Sequence, residues 1–332
     1  MPNYQAYVVE EIQEKRFVGD LKTLTTEDLP SGEVLVRVRY SSLNYKDALS
    51  ASGNRGVTRA YPHTPGIDAA GEVVESRSAS FAVGEEVIVT GYDLGMNTAG
   101  GFGQFIRVPA NWCVRKPGTL SLREAMILGT AGFTAALCVE KLILNGLKSD
   151  QGEVVVSGAS GGVGSIAVAL LAHLGFQVVA STGKPNHSDW FQQLGASEVL
   201  SREVLSQEDS KPLQKPRWAG AVDTVGGVTL SNLIKTLAYG GSVAACGMVQ
   251  SAGFESSVFP FILRGVNLLG VDSVELPQSS KQAVWDKLGK QWKLECLESL
   301  CTEIGFDALG ESLQKLLQGQ SQGRILLNTE NR

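Results

Sequence analysis

The stretch Val154-Val-Val-Ser157, followed at once by Gly158-Ala-Ser-Gly-Gly-Val-Gly164 and a helix-spaced apolar run, constrains the fold of this chain more than any other part of it. A short continuous apolar run reads as a strand buried on both faces. Ala159, Gly161 and Gly164 fill the three small positions of a G-x-G-x-x-G pattern, with alanine in first place. Beyond the loop, Ile166, Ala167, Leu170, Leu171 and Leu174 recur at the spacing of one helix face. Strand, tight loop and helix in that order let the backbone approach a pyrophosphate and meet its charge with free amides at the helix N-terminus. The spacing therefore predicts a dinucleotide site at Ala159, Ser160, Gly161, Gly162, Val163 and Gly164.

From this point the chain alternates. Strands are expected over 154–157, 177–181, 197–200, 219–225, 241–246 and 266–271, with helices over 165–174, 188–194 and 228–237 between them. That order is the signature of an α/β doubly wound parallel sheet. Ser201 to Arg217 is polar and proline-bearing and reads as a surface connection. The first ~120 residues have a different texture, with Val34, Val36, Val38 and Tyr40 alternating against arginines and further strands at 71–75 and 86–90, so they read as antiparallel β with loops. Leu122 to Leu144 reads as a helix. A chain of 332 residues exceeds one ordinary core, and two domains are expected, 1–125 with 275–332 and an inserted 126–274.

The second strand of the sheet decides the type of dinucleotide. An Asp or Glu near its end would bond a free ribose 2′-hydroxyl. Here it ends Ser181-Thr182-Gly183-Lys184, without a carboxylate, and Arg202 follows the third strand. Hydroxyl donors and two cations suit a 2′-phosphate, so the expected cofactor is NADPH. Gly247 and Met248, after the fifth strand, fall where a nicotinamide ordinarily sits.

Charge and composition remove other classes. A net charge of −5 argues against nucleic acid and anionic membranes as partners. The start of the chain lacks a basic-then-apolar leader, and the longest purely aliphatic run, Ile166 to Ala172, is too short to cross a membrane, which points to the cytosol. Five irregularly spaced cysteines without a CxxC read as reduced thiols. The three histidines, His63, His173 and His187, are scattered, and no metal site is expected. Trp285 and Trp292, seven apart, are expected to pack on one helix face.

The ordered set Asn44-Tyr-Lys-Asp47, Pro65-Gly-Ile-Asp68, Gly129-Thr-Ala-Gly-Phe-Thr134, the loop 158–164 and Gly323-Arg-Ile-Leu326 resembles the quinone-oxidoreductase branch of the medium-chain dehydrogenases, across nearly the whole chain. Within that branch, Val258 to Ser273 and the Ser-Thr-Gly-Lys segment resemble the acrylyl-CoA reductase group. Zinc members of the superfamily carry Gly-His-Glu where this chain has Pro65-Gly-Ile-Asp68, and a four-cysteine lobe that is missing from Gly91 to Gly103. The resemblance implies a GroES-like β-rich catalytic domain built from both chain ends, an inserted Rossmann domain, and a homodimer. It also implies cofactor contacts at Tyr45, Thr134 and Ser273.

Without zinc the acceptor must be electrophilic on its own, which suits an alkene conjugated to a thioester, or a quinone. The implied reaction is hydride transfer to the β-carbon of a short α,β-unsaturated acyl-CoA, most simply acrylyl-CoA to propionyl-CoA. The candidate catalytic residues are Asn44, Tyr45, Asp47, Asp68 and Arg324. Asn44 and Tyr45 can donate hydrogen bonds to a developing enolate, or can instead hold the nicotinamide ribose or ring. Asp47 and Asp68 could form an acid/base pair, but carboxylates beside strands more often hold loops together, and that reading is preferred. Arg324 can pair with one of them or meet a substrate phosphate or carbonyl. An NADPH quinone reductase would share every motif, and a non-catalytic, crystallin-like nucleotide binder is the other rival.

Overall fold

The computed structural model describes residues 3–184 and 187–331. The chain opens with β1 (Asn3–Gln13), β2 (Arg16–Thr25), β3 (Val34–Ser42), α1 (Tyr45–Ala51), β4 (Asp68–Ser76), β5 (Glu86–Thr90), β6 (Phe105–Val108), β7 (Cys113–Arg115) and α2 (Leu122–Leu144). It continues with β8 (Glu153–Val156), α3 (Gly162–His173), β9 (Gln177–Thr182), α4 (Ser188–Gln193), β10 (Ala196–Ser201), α5 (Glu203–Ser206), β11 (Trp218–Asp223), α6 (Gly227–Thr236), β12 (Leu237–Ala245), α7 (Phe259–Arg264) and β13 (Asn267–Gly270). The final stretch holds α8 (Gln278–Leu288), β14 (Cys301–Ile304), α9 (Leu309–Leu317) and β15 (Arg324–Asn328). Two compact units result: Met1–Thr130 with Val274–Gln291 and Leu297–Arg332, and Ala131–Ser273 with Trp292–Cys296.

The first unit is built on a seven-stranded sheet in the order β14-β15-β3-β4-β5-β7, with β6 also paired to β3, and on the separate hairpin β1-β2. Alternation in β3 sends Val34, Val36 and Val38 into a core with Val73, Val87, Val89 and Ile106, while Arg37 faces water. A second core gathers Leu43 and Ala48 at α1 with Leu309 and Leu313 of α9 and Leu327 of β15. Each fully buried leucine contributes ~1.5–3 kcal/mol. This core fixes α1, and with it the segment from Asn44 to Asp47, against the end of β15 that carries Arg324. The β1-β2 turn is made by Lys15, a non-glycine residue at φ +60.

The second unit is a six-stranded parallel sheet in the order β10-β9-β8-β11-β12-β13, with strands and helices within a few residues of the positions expected from the sequence. Strand order reverses between β8 and β11, and the loop 158–164 leaves the C-terminal end of β8 at that switch point. The polar connection after Ser201 is more than a surface loop, because Leu205 of α5 joins the core with Trp218, Leu230 and Leu233.

Helix α2 is long and apolar enough to cross a membrane by length and composition, but 72% of its most apolar window is buried inside the protein. It is broken at Gly129, whose φ of 50 and ψ of −156 are not helical. The two tryptophans do not share a helix face: α8 ends at Leu288, so Trp285 lies on it and Trp292 lies beyond it, in the second unit, although both are buried.

Candidate active site

In the first unit the residues brought together are Ser42, Asn44, Asp47, Asp68, Thr130 and Arg324. Asn44 precedes α1 with extended φ/ψ of −126 and 158, and its backbone N–H donates to Asp47 Oδ2 at 2.7 Å. Asp47 Oδ1 accepts from the backbone N–H of Ile67 at 2.8 Å, which ties the start of α1 to the segment entering β4. Asp68, the first residue of β4, accepts from four donors. Ser42 Oγ (2.6 Å), Asn44 Nδ2 (2.8 Å) and the Thr130 N–H (2.9 Å) converge on Oδ2, and Thr130 Oγ1 donates to Oδ1 at 2.5 Å. Arg324 donates from Nε to the Ile127 carbonyl at 2.8 Å and from Nη1 to the Leu43 carbonyl at 3.3 Å.

Asp47 and Asp68 are 0% exposed and Arg324 is 3% exposed. Burial, then the negative charge of Asp68, push the Asp47 carboxyl up to about 7, against the pull of the Asn44 and Ile67 amides. Burial also lowers the Arg324 guanidinium, while Asp68 raises it. One guanidinium stands against two buried carboxylates inside the unit, and the raised Asp47 carboxyl eases the excess negative charge by holding a proton more readily. Asn44 Nδ2 uses its two hydrogens on Asp68 and on the Ser42 carbonyl at 3.3 Å. The Asn44 Oδ1 faces the Asp47 N–H in the capping box, and the second lone pair of that oxygen is what Asn44 keeps to offer a ligand, which suits a ribose hydroxyl better than an enolate oxygen. Tyr45, the first residue of α1, is 46% exposed, and its phenol is the accessible donor of the set.

Sequence reasoning did not pick out Ser42 and Thr130 as partners of Asp68, nor the break at Gly129. A Cβ there would fall 2.3 Å from Ser42 Oγ, 2.5 Å from Asp68 Oδ2 and 3.0 Å from Arg324 Nη2. The signal available was the pair Gly129 and Gly132 inside a helical pattern.

In the second unit the loop 158–164 is tightly held. Gly158 has φ +58 and the Ala159 N–H donates to the Ser181 carbonyl at 3.0 Å. A Cβ on Gly164 would lie 2.4 Å from the Gly158 carbonyl oxygen, so this position must be bare for α3 to close on the turn. At Gly161 the nearest atom would be that same oxygen at 3.4 Å, so nothing inside the chain demands glycine there, and the open space lies where a ligand backbone or phosphate could approach. The first amides of α3, from Gly162 and Val163, have no carbonyl one turn behind them within the helix.

The corner after β9 is compact. Ser181 and Thr182 are buried, the Lys184 N–H donates to Thr182 Oγ1 at 3.1 Å, and the Arg202 N–H donates to the Thr182 carbonyl at 2.8 Å. The Arg202 guanidinium folds onto Gly183, where a Cβ would meet its Cζ at 3.0 Å. Burial lowers the Lys184 ammonium from its ordinary range. Two cations thus flank one turn without a carboxylate on it. Thr134 Oγ1 donates to Ser273 Oγ at 2.8 Å, and Met248, directly after Gly247, is exposed. His63 bonds the Gly95 carbonyl through Nε2 at 2.9 Å, and among the described residues no three His, Cys, Asp or Glu side chains converge as a metal donor set.

Residues 30–118 match the alcohol dehydrogenase GroES-like domain, and residues 162–290 match the model described as zinc-binding dehydrogenase. The chain is 41% identical over 98% of its length to acrylyl-CoA reductase AcuI of Ruegeria pomeroyi, covering 99% of that protein. It superposes on the yhdH oxidoreductase of Salmonella enterica in complex with NADP with a TM-score of 0.95, at 43% identity over 98% of this chain and 99% of that one. For the Bacillus subtilis protein yhfP with NAD bound, the TM-score is 0.96, at 44% identity over 99% and 100% of the two chains. Continuous likeness of this extent, over both units, identifies the chain as an oxidoreductase that belongs to the zinc-free, quinone-oxidoreductase-like branch of the medium-chain dehydrogenase/reductase family.

Proposed function

We propose that this enzyme uses NADPH to reduce the activated C=C of a short α,β-unsaturated acyl-CoA, with acrylyl-CoA to propionyl-CoA as the simplest case. The observation that carries the cofactor is the corner Ser181-Thr182-Gly183-Lys184, which has no carboxylate and is covered by Arg202. The AcuI relative, alike over 98% of this chain, supports the acceptor. NADPH supplies the hydride that reaches the β-carbon of the acceptor. The protein's part is to bind, orient and protonate. Amides of the loop 158–164 and of the first turn of α3 receive the pyrophosphate, and Lys184 and Arg202 receive the 2′-phosphate. Asn44, held by Asp68, presents an acceptor to a ribose hydroxyl. Tyr45 presents its phenol for the α-carbon proton. Asp47, Asp68 and Arg324, which are buried, act through Asn44 and the start of α1 as positioning residues. We place the enzyme in the cytosol, as a homodimer.

A quinone acceptor is the second reading, favoured by the B. subtilis relative, which carries a quinone-oxidoreductase name at 47% identity over 92% of this chain. The test is NADPH oxidation with acrylyl-CoA, crotonyl-CoA and a simple quinone in parallel, with NADH as control. A much higher kcat/KM for acrylyl-CoA with NADPH is expected. Preference for the quinone would overturn the acceptor, and equal use of NADH would overturn the cofactor. Absence of turnover despite NADPH binding would favour a non-catalytic nucleotide binder. Replacing Lys184 by Ala is expected to lower kcat/KM for NADPH by roughly tenfold to a hundredfold while leaving that for NADH unchanged, the size of one charge-assisted bond to phosphate.

A further inference from the structure

One buried carboxylate stands outside all of the roles above. Asp223 closes β11 and is 0% exposed. Its Oδ1 accepts from Ser157 Oγ at 2.6 Å and from the Val225 N–H at 3.2 Å, and its Oδ2 accepts from the Gly226 N–H at 2.9 Å. Thr224 adds two more bonds to the same serine, donating from its N–H to Ser157 Oγ and from Oγ1 to the Ser157 carbonyl, both at 3.0 Å. Ser157 is the residue from which the loop 158–164 springs. On the other side, Cys246 donates from N–H to the Asp223 carbonyl at 2.9 Å, Gln250 donates from N–H to the Val225 carbonyl at 2.9 Å, and Gly226 bridges Ser251. At Gly226 a Cβ would lie 2.4 Å from the Ser251 carbonyl oxygen, so the turn and the segment 246–251 pack backbone to backbone.

The parallel ladder itself stops short of these segments. Its last pairs are Val156 with Val222 and Asp223 with Ala245. Past those residues the ladder leaves a gap, crossed by single contacts such as the Cys246 N–H on the Asp223 carbonyl and the bridge of Gly226 with Ser251, between the loop after β8 and the segment after β12, which hold the candidate pyrophosphate and nicotinamide contacts. The side chain of Asp223, with the turn it caps, stands in that gap. Burial pushes its carboxyl up, against the pull of Ser157, Gly226 and Val225.

We propose that Asp223 is a positioning residue for the coenzyme, fixing the loop 158–164 and the segment Cys246 to Met248 at the separation one dinucleotide requires. The inference rests on the dinucleotide reading given above. It predicts a selective defect. Replacing Asp223 by Asn keeps one acceptor oxygen and loses the other, so the Gly226 N–H is left facing an amide donor. Measured by quenching of tryptophan fluorescence in the full-length protein, the Kd for NADPH is expected to rise about tenfold or more, from the loss of one charge-assisted bond. The Kd for adenosine 2′-monophosphate, which needs only the corner 181–184, is expected to stay within about twofold of wild type, because its contacts lie on the far side of the loop and effects at separate sites are independent. Ser157→Ala is expected to act in the same direction with a smaller effect. The double variant is expected to show less than the product of the two effects, because the two side chains bond each other and belong to one hydrogen-bond network. If Asp223→Asn fails to fold, Ser157→Ala, which leaves the backbone donors in place, carries the same pair of affinity measurements. An unchanged NADPH Kd, or an equal weakening of NADPH and adenosine 2′-monophosphate, overturns the proposal. A wild-type protein that binds neither ligand overturns the dinucleotide reading, and this inference with it.

Discussion

Tyr45 and Asn44 are neighbours in the chain with opposite chemistry left to offer: the asparagine has committed its donors to Asp68 and Ser42, and the tyrosine phenol is exposed. This is why the proposed proton donation is given to Tyr45. Tyr45→Phe is expected to lower kcat by roughly a hundredfold or more while KM for NADPH changes little, since a positioned general acid contributes ~10²–10⁴. Unchanged turnover would remove the phenol from the scheme. Asp47 gives a pH signature. Its carboxyl, raised from 3.8 to about 7 by burial and then by Asp68, holds its proton more tightly in the folded than in the unfolded chain. That contribution to stability is complete below the unfolded value and is lost as pH rises through the folded one. Asn at this position cannot titrate. The Tm advantage of wild type over Asp47→Asn is thus expected to be largest near pH 4 and to shrink as pH rises to about 7; an advantage that grows with pH contradicts the assignment. At this scale the sequence was only partly legible. The residue types at 44, 47, 68 and 324 could be singled out through resemblance, but their convergence comes from pairings such as Leu326 with Ser42, between strands almost the whole chain apart. Of the partners of Asp68, Ser42 carries no pattern of its own, and Thr130 lies in the segment 129–134 without anything there to point it at Asp68.

Elements were most legible where burial on both faces writes a continuous apolar run, as in β8, β9 and β11 of the parallel sheet. The hairpin β1-β2 was not separable from the surrounding β-rich region, because its turn uses Lys15 at positive φ in place of the expected glycine or asparagine. Ser201 to Arg217 misled for a related reason: its polar composition conceals Leu205, which the core takes up. Helix α2 was legible as a helix but not as a broken one. Gly129 bends it so that the Thr130 amide and hydroxyl both reach Asp68. Gly129→Ala would combine a backbone region that side chains avoid with a Cβ 2.3 Å from Ser42 Oγ. A loss of ~2–3 kcal/mol is expected, seen as a Tm lowered by roughly 5–10 °C in thermal unfolding. A Tm within a degree of wild type would show that the break is not needed.

For the molecule as a whole, β13 ends the parallel sheet as an edge strand, and the surface beside it exposes Val258, Phe259, Ile262, Leu263 and Leu268. An open edge flanked by apolar side chains is a place where chains associate. We place the interface of the proposed homodimer there, and light scattering is then expected to give twice the chain mass of 35.3 kDa. Ile262→Asp is expected to give a folded monomer; a wild-type monomer would refute the dimer. Both units read as expected in class from their periodicities, an antiparallel strand-rich texture over the first ~120 residues and an alternation of strands and helices from Val154, whereas the acceptor has no periodicity to announce it. The chemistry itself is tested most directly by turnover of acrylyl-CoA with NADPH deuterated at the transferable C4 position, followed by mass spectrometry and NMR of the CoA product. The account predicts propionyl-CoA with deuterium on the β-carbon and a solvent proton on the α-carbon. NADPH oxidation with no deuterium in a CoA product, or oxidation only when a quinone is supplied, would contradict it.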